Sequence, residues 1–427
     1  MSTQIPVGSA LARKVYGAAL FANTQRKASV TKNMRGPAPT QADAQKKLRG
    51  QTSPDFPIVE IRDLTKGGGD TVGVDLFNIV VAKPIMGDKK AEGKGSAITF
   101  DSMDVKIKQY RFPVSAGGEE SRQRTVWEMR GIAMSQLESL MNRYEDQSSI
   151  VHLAGARGGQ VTTDWVVPLS TDADFTDIMV NSVQAPTYNR HFVADASTIV
   201  AGGAQLASID STDVIKLEHI DLLRKHIDDL DFPLQPIKLP GDEAAEDEPM
   251  YLMLVSPRQW SDLLVNTSGA VLRTFQQNAF NRASYMGANK HPLFRGEVGM
   301  WNGILVKKMG RSIRFVASDT TKIVTVGNRY TATETDVTVN GSLGAGKAVD
   351  RALLVGAQAL ACVYGKSKKS GFHYFWSEKW LDHDNELEVL AGGMGGKAKL
   401  RFDIPDGQGN TEPTDHGVIV LDTAVSL

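Results

Sequence analysis

Two stretches of this 427-residue sequence have residue types spaced to handle a nucleotide. The first is Gly341-Ser-Leu-Gly-Ala-Gly346-Lys347, the spacing of a loop whose backbone N–H groups and lysine ammonium surround phosphates. Its counterpart would be Val418-Ile-Val-Leu-Asp422, an apolar run ending in a carboxylate suited to Mg²⁺. Position 348, however, is Ala348, so the hydroxyl that ligates the metal is missing. The acid also sits five residues from the end of the sequence, leaving little room for a nucleotide domain. A hairpin-rich region precedes the loop, where a parallel sheet would be needed. The stretch therefore reads as a surface turn, and a P-loop enzyme stays the minor alternative.

Other chemistry fails on similar grounds. Gly392-Gly-Met-Gly-Gly396-Lys397 misses the phosphate-loop template by one residue, and its glycines are expected to turn the chain tightly between two strands. Asp382-His383-Asp384, with Glu378 and Glu386 nearby, offers oxygens and an imidazole to a cation. Neighbours on an extended segment point to opposite faces, so a solvated turn is expected instead. The eight histidines show no HExxH pairing, no GxSxG elbow is present, and the lone Cys362 supports neither a zinc knuckle nor an internal disulfide. No catalytic, metal-ligating or cofactor-binding residue is assigned, and no cofactor is expected.

The elements around these motifs form an α+β string, with hairpins and helices segregated along the chain. Apolar residues make up 41% and charged residues 23%, ordinary for a folded chain, and the length implies two or three packing units. Charge is uneven. Residues 1–50 carry nine basic side chains (Arg13, Lys14, Arg26, Lys27, Lys32, Arg35, Lys46, Lys47, Arg49) against Asp43, a net +8, and the other 39 basic and 48 acidic residues sum to −9. A basic arm on an acidic body fits an interaction tail and a mobile, solvated terminus equally well on composition. The longest apolar run, Ala352 to Tyr364, is too short to cross a bilayer, so no membrane partner is expected.

After the arm, a stretch rich in β-formers, Thr71-Val-Gly-Val-Asp-Leu-Phe77, leads through a Gly/Lys-rich tip at 87–95. The chain returns with Met103, Val105 and Ile107 alternating with Asp104, Lys106 and Lys108. Such a long hairpin is only marginally stable alone, so contacts outside its own core are expected to hold it. From Glu119 to about Ala154, Val126, Met129, Ala133, Leu137, Leu140, Tyr144, Ser148 and Val151 recur at helical spacing as one stripe, giving a helix roughly 50 Å long. Ser211 is expected to cap a helix carrying Val214, Leu217, Ile220, Leu223 and Ile227 inward, and Pro257 to open another. Short strands are expected at 303–307, 313–317, 322–327 and 335–339, then at 386–390, 397–402 and 418–421.

This order of segments resembles the major capsid proteins of tailed phages with the Hong Kong 97-type coat fold, most closely the capsid family first defined by the coliphage called N-four. Asp63-Leu-Thr-Lys-Gly-Gly-Gly-Asp70 with Met86-Gly-Asp88 looks like that family's extended loop. Ser121-Arg-Gln-Arg-Thr-Val-Trp-Glu-Met-Arg130 resembles the start of its spine helix. Asn289-Lys-His-Pro-Leu-Phe-Arg-Gly296 and Gly299-Met-Trp-Asn-Gly-Ile-Leu-Val306 look like its axial domain, and Arg351–Ala359 and Gly417–Ala424 match as well. The basic tip, Lys89-Lys90, and an apparent strand insertion at 311–347 depart from the family.

The resemblance implies an N-terminal arm (1–56), an extended-loop hairpin (57–115), a peripheral domain with the spine helix (116–212 and 366–427) and an axial domain (213–365). It implies a non-enzymatic coat protein that joins copies of itself into hexamers and pentamers of an icosahedral head. Portal and scaffold or decoration proteins, and packaged double-stranded DNA held without sequence preference, are the implied partners. The implied location is the virion, after assembly in the host cytoplasm. An encapsulin-type shell holding cargo protein shares the fold, but the hairpin and axial signatures favour the phage coat.

Overall fold

The structure is a computed structural model that describes residues 31–37, 51–62, 69–77, 84–95, 98, 100–118, 129–162, 164–230, 232–242, 248–285, 291–294, 297–344, 346–367, 370–405 and 410–427. Most of the basic arm, from Arg13 to Lys27 and from Lys46 to Arg49, lies outside these residues. So does the expected helix start at 119–128.

Apolar runs build the larger of the two main sheets, beside which the described residues form three two-stranded ladders. Its strands lie in the order Thr198–Ala201, His191–Asp195, Val418–Ser426, Lys347–Val355, Tyr251–Val255, Ile304–Lys308 and Val298–Trp301, with Ile313–Phe315 also paired to Lys347–Val355. The central pair is antiparallel and in continuous register from Lys347 against Ser426 to Val355 against Val418. Both faces are covered, and that explains why Tyr251–Val255 and residues 418–425 are buried at every position.

Helices pack on this sheet with local signals that are partly legible. Ser256 accepts from Gln259 N, Gln259 Oε1 accepts from Ser256 N, and Pro257 opens the helix Pro257–Val265, as expected. Gly269–Tyr285 covers the edge strand Val298–Trp301. There Phe275 lies so close to Gly299 that an added Cβ would stand 1.8 Å from the ring. Ser211 does not cap the next helix, which spans Leu217–Asp229 and has Lys216 at its N-cap position, where the Lys216 N–H donates to His219 Nδ1. The reason is tertiary: Val214 bridges Ala424 and Ile215 is buried, so the chain stays extended to Lys216.

The smaller sheet centres on one long strand, Glu386–Lys399. Residues 386–393 pair with Tyr374–Leu381, 395–399 with Leu360–Tyr364, and 386–395 with Lys108–Gly118. Ile58–Ile61 adds in parallel to Leu360–Tyr364. The two strands expected at 386–390 and 397–402 are thus one strand running through the glycine run, followed by the separate strand Arg401–Pro405.

Against this sheet lies the helix Met129–Ala154, about 39 Å at 1.5 Å per residue. Ala133, Leu137 and Met141 pack on Trp376, Leu387 and Val389. The expected single stripe ends at Tyr144. From there every side chain is buried, including Glu145, Asp146, Gln147, Ser148, Ser149 and His152, because the helix enters the space between the two sheets' clusters.

Thr71–Phe77 and Phe100–Lys106 form a separate two-stranded antiparallel ladder, Thr71 opposite Lys106 and Phe77 opposite Phe100. Among the described strands of 57–115, these two are outside the smaller sheet, to which Ile58–Ile61 and Lys108–Gly118 belong.

Candidate functional site

The structure dissolves each catalytic-looking motif. Residues 341–342 and 346 lie in turns, and Lys347 begins an antiparallel strand where a phosphate loop would lead into a helix. Its ammonium donates to Ser426 Oγ at 2.9 Å, and Gly346 O accepts from the Leu427 N–H. Asp422 is completely buried. Arg351 grips it through Nε at 2.7 Å and Nη2 at 2.8 Å, and His191 Nε2 donates to it at 2.7 Å. Burial alone would raise the pKa of Asp422, but the Arg351 guanidinium and the histidine bond outweigh it and hold it at about 2. Arg351 Nη1 also donates to Ala154 O, tying the helix C-terminus to the larger sheet. This carboxylate is a structural brace with no lone pairs facing solvent.

The run 392–396 corrects the expected turn. The strand passes straight through, and the glycines admit neighbours: an added Cβ would lie 2.4 Å from Tyr110 O at Gly392 and 1.9 Å from Lys106 O at Gly396. Lys397 then reaches inward to Glu145 Oε2 at 2.8 Å, Glu145 O at 2.6 Å and Ser148 Oγ at 2.7 Å. Asp382, His383 and Asp384 form an exposed turn with left-handed backbone, whereas Glu378 is buried against Arg130 at 2.7 Å. Among the described residues no group of three His, Cys, Asp or Glu is placed to hold a metal ion.

What remains is surface. The hairpin's inner face, Val72, Val74, Leu76, Met103 and Val105, packs on Val59, Ile61, Val363 and Leu400. Its distal end does not. Phe77 and Phe100, 69% and 70% exposed, pair with ring centroids 6.3 Å apart, and Met86 and Ile98 beyond them are 69% and 64% exposed. Around the tip, Asp88, Lys89, Lys90, Glu92 and Lys94 are all exposed. Four large apolar side chains on one projecting end mark an interaction surface.

A family model for phage capsid protein matches residues 4–427. The chain belongs to that family. Its structural relatives agree with the assignment. This capsid protein superposes on the capsid of Ralstonia phage GP4 with a TM-score of 0.67 and 25% identity, covering 88% of this chain and 89% of that one. The cyanophage Pam1 capsid gives 0.58 at 14% identity over 88% and 90%. The Helicobacter pylori bacteriophage KHP30 capsid gives 0.53 at 13% over 88% and 89%. No curated protein sequence matches this chain. It is a phage major capsid protein, a non-enzymatic structural protein of the virion, with a mixed α+β fold like those of phage capsids.

Sequence reasoning missed the Arg351–Asp422–His191 brace and the pairing of Phe77 with Phe100. A signal for the first existed: Arg351 opens the apolar run 352–355, and a charge in a buried strand demands a partner.

Proposed function

We propose that this capsid protein has the Hong Kong 97-type coat fold, closest to the coliphage N-four family. In this reading it assembles as hexamers and pentamers of an icosahedral head around double-stranded DNA, in the host cytoplasm. Portal and scaffold or decoration proteins would complete the particle. The domain division proposed is an arm (1–56), an extended loop (57–115), a peripheral domain (116–212 and 366–427) and an axial domain (213–365). His191–Asp195, Thr198–Ala201 and Val418–Ser426, from the peripheral segments, belong to the same sheet as the axial strand Lys347–Val355.

The observation that carries the reading is the hairpin's uncovered apolar end. Burying each of Phe77 and Phe100 is worth about 1.5–3 kcal/mol, and a heterologous contact repeated around a ring supplies that burial in every subunit. The hairpin would lie across a neighbouring subunit and tie it in place. Deleting residues 86–95 and closing the gap with a short turn tests this. The subunit should keep its far-UV signal and cooperative melting, and closed shells should disappear from micrographs. Loss of the folded subunit, or shells of normal yield, would defeat the reading. Shells of native source that carry protein cargo and no DNA would overturn the DNA-container part.

A further inference from the structure

Residues 31–37 are a short strap built into the body of the subunit. Met34 is 1% exposed and sits in the main core with Phe56, Ile58 and Tyr144. Arg35 bridges the edge strand at Ile58. Gly36 fits so closely against Phe56 and Ser53 that an added Cβ would lie 3.1 and 3.2 Å from them.

The Arg35 guanidinium lies 2.9 Å from Glu60 and 3.7 Å from Glu145. Glu60 also takes Arg62 at 2.7 Å. Glu145 takes Lys397 at 2.8 Å and accepts from Tyr110 Oη at 2.7 Å. The strap is therefore fastened directly to the edge strand Ile58–Ile61 and the helix Met129–Ala154, and Glu145 links the same cluster to Lys397 on the long strand Glu386–Lys399. Burial pushes Glu145 upward, and Lys397 and Arg35 more than reverse this, holding it at about 2. A buried cluster of this kind adds little net stability over apolar packing, and its best-attested use is to fix one arrangement against others.

We propose that Arg35 is a positioning residue for assembly: it clamps the root of the N-terminal arm, so that the basic residues 1–30 leave every subunit from one fixed point. The proposal takes the basic arm of the proposed coat protein as an interaction tail whose partner is a neighbouring subunit in the shell. Met34 alone would hold the strap by burial, which is non-directional. The two carboxylates give it one register, and a slipped strap would displace the arm's origin along the surface.

The test uses the full chain and an Arg35→Met variant, with hydrogen exchange and micrographs of assembled particles. In the wild-type free subunit, amides of residues 33–36 should exchange at least about tenfold more slowly than solvated chain. In Arg35→Met that protection should fall while global melting stays cooperative, and the yield of closed shells should fall by roughly half or more, with misshapen particles replacing them. A variant lacking residues 1–30 separates the two ideas. If it closes shells normally, the trans-acting arm is wrong and the clamp has nothing to position. If it fails to assemble but Arg35→Met closes normal shells despite a released strap, the clamp inference alone is overturned. Should Arg35→Met fail to fold, unprotected amides at 33–36 in the wild type would overturn the clamp by themselves, and protected ones with shell loss in Glu60→Gln would support it.

Discussion

Two glycine runs ending in lysine, at 341–347 and 392–397, look alike in sequence and have opposite surroundings. In the first, Gly344 and Gly346 have φ of 98° and 76°, and added Cβ atoms there would meet little or nothing. Those glycines serve backbone shape at a surface turn. In the second, the backbone is strand, and the glycines serve proximity: Tyr110, Phe375 and Lys106 occupy the space a side chain would need. Lys347 ties the end of its strand to Ser426 on the neighbouring strand beside solvent, while Lys397 is buried and neutralises a helix glutamate. The same letters thus serve as a turn in one place and as a packing seam in the other, and only the neighbouring strands decide which.

The contrast predicts a large effect at Lys397. Lys397→Met removes the closest cation from Glu145 and leaves a buried carboxylate with Arg35 at 3.7 Å and Tyr110, which should cost about 3–5 kcal/mol of subunit stability in urea unfolding. The double variant Lys397→Met, Glu145→Gln should recover most of that loss. A single variant within about 0.5 kcal/mol of wild type would mean the pair is hydrated and the seam is not a charge site.

Acid should weaken the same seam and leave the turn alone. His152, whose Nε2 contacts Met179 O, is held down to about 3 chiefly by burial, and His373 and His416 to about 4 for the same reason. Each is neutral when folded but takes a proton near 6.5 when unfolded, so the unfolded state binds more protons below that pH. Their contribution is complete above pH 6.5 and is lost as pH falls toward 4, by up to about 1.4 kcal/mol per histidine per pH unit. Glu145 and Asp422, both near 2 when folded, extend the loss below their ordinary values of 4.5 and 3.8. A urea midpoint that stays level from pH 7.5 to 4.5 would contradict this.

Next in size is Gly396→Ala. Its Cβ would stand 1.9 Å from Lys106 O, a backbone atom that cannot rotate away, so the strand Lys108–Gly118 or its lead-in must shift. Overpacking of this kind costs about 1–3 kcal/mol. Because Lys106 is also the last residue of the hairpin ladder, the variant should reduce assembly more than its stability loss alone would. Gly346→Ala, in open space at φ 76°, should cost no more than about 1–2 kcal/mol of backbone strain and leave assembly intact.

How much of this was legible follows from the range of the interactions. The hairpin alternation, the helix start at Pro257 and the short strands near 304–308, 313–315, 320–324 and 334–338 rest on neighbours two to four residues apart, and local patterns read those. Arg351 finds Asp422 71 positions away and His191 160 away, and Glu145 finds Lys397 252 away, so a local pattern can at most say that a buried charge needs a partner and not which one. The glycine run was misread for the same cause: a tight turn is the local meaning of Gly-Gly, and the seam it forms belongs to the strand opposite. The polar second half of the long helix broke the stripe because its partners come from both sheets.

The smallest effect belongs to Lys347, and it sharpens the contrast from the other side. A phosphate loop needs free backbone N–H groups at the start of a helix, a lysine aimed at the phosphates and a hydroxyl for Mg²⁺. Here the following element is a strand in register with Val418–Ser426, the Lys347 N–H bonds to Gly344 O, the ammonium is engaged with Ser426, and position 348 is a buried alanine. The carboxylate of the second motif is locked under Arg351. Lys347→Ala should therefore change subunit stability by less than about 0.5 kcal/mol, as surface substitutions do, and isothermal titration with Mg-ATP should show no heat of binding in either wild type or variant. Micromolar binding abolished by Lys347→Ala would show that the turn rearranges around phosphates, and the distinction between turn and seam would then fail at its simpler end.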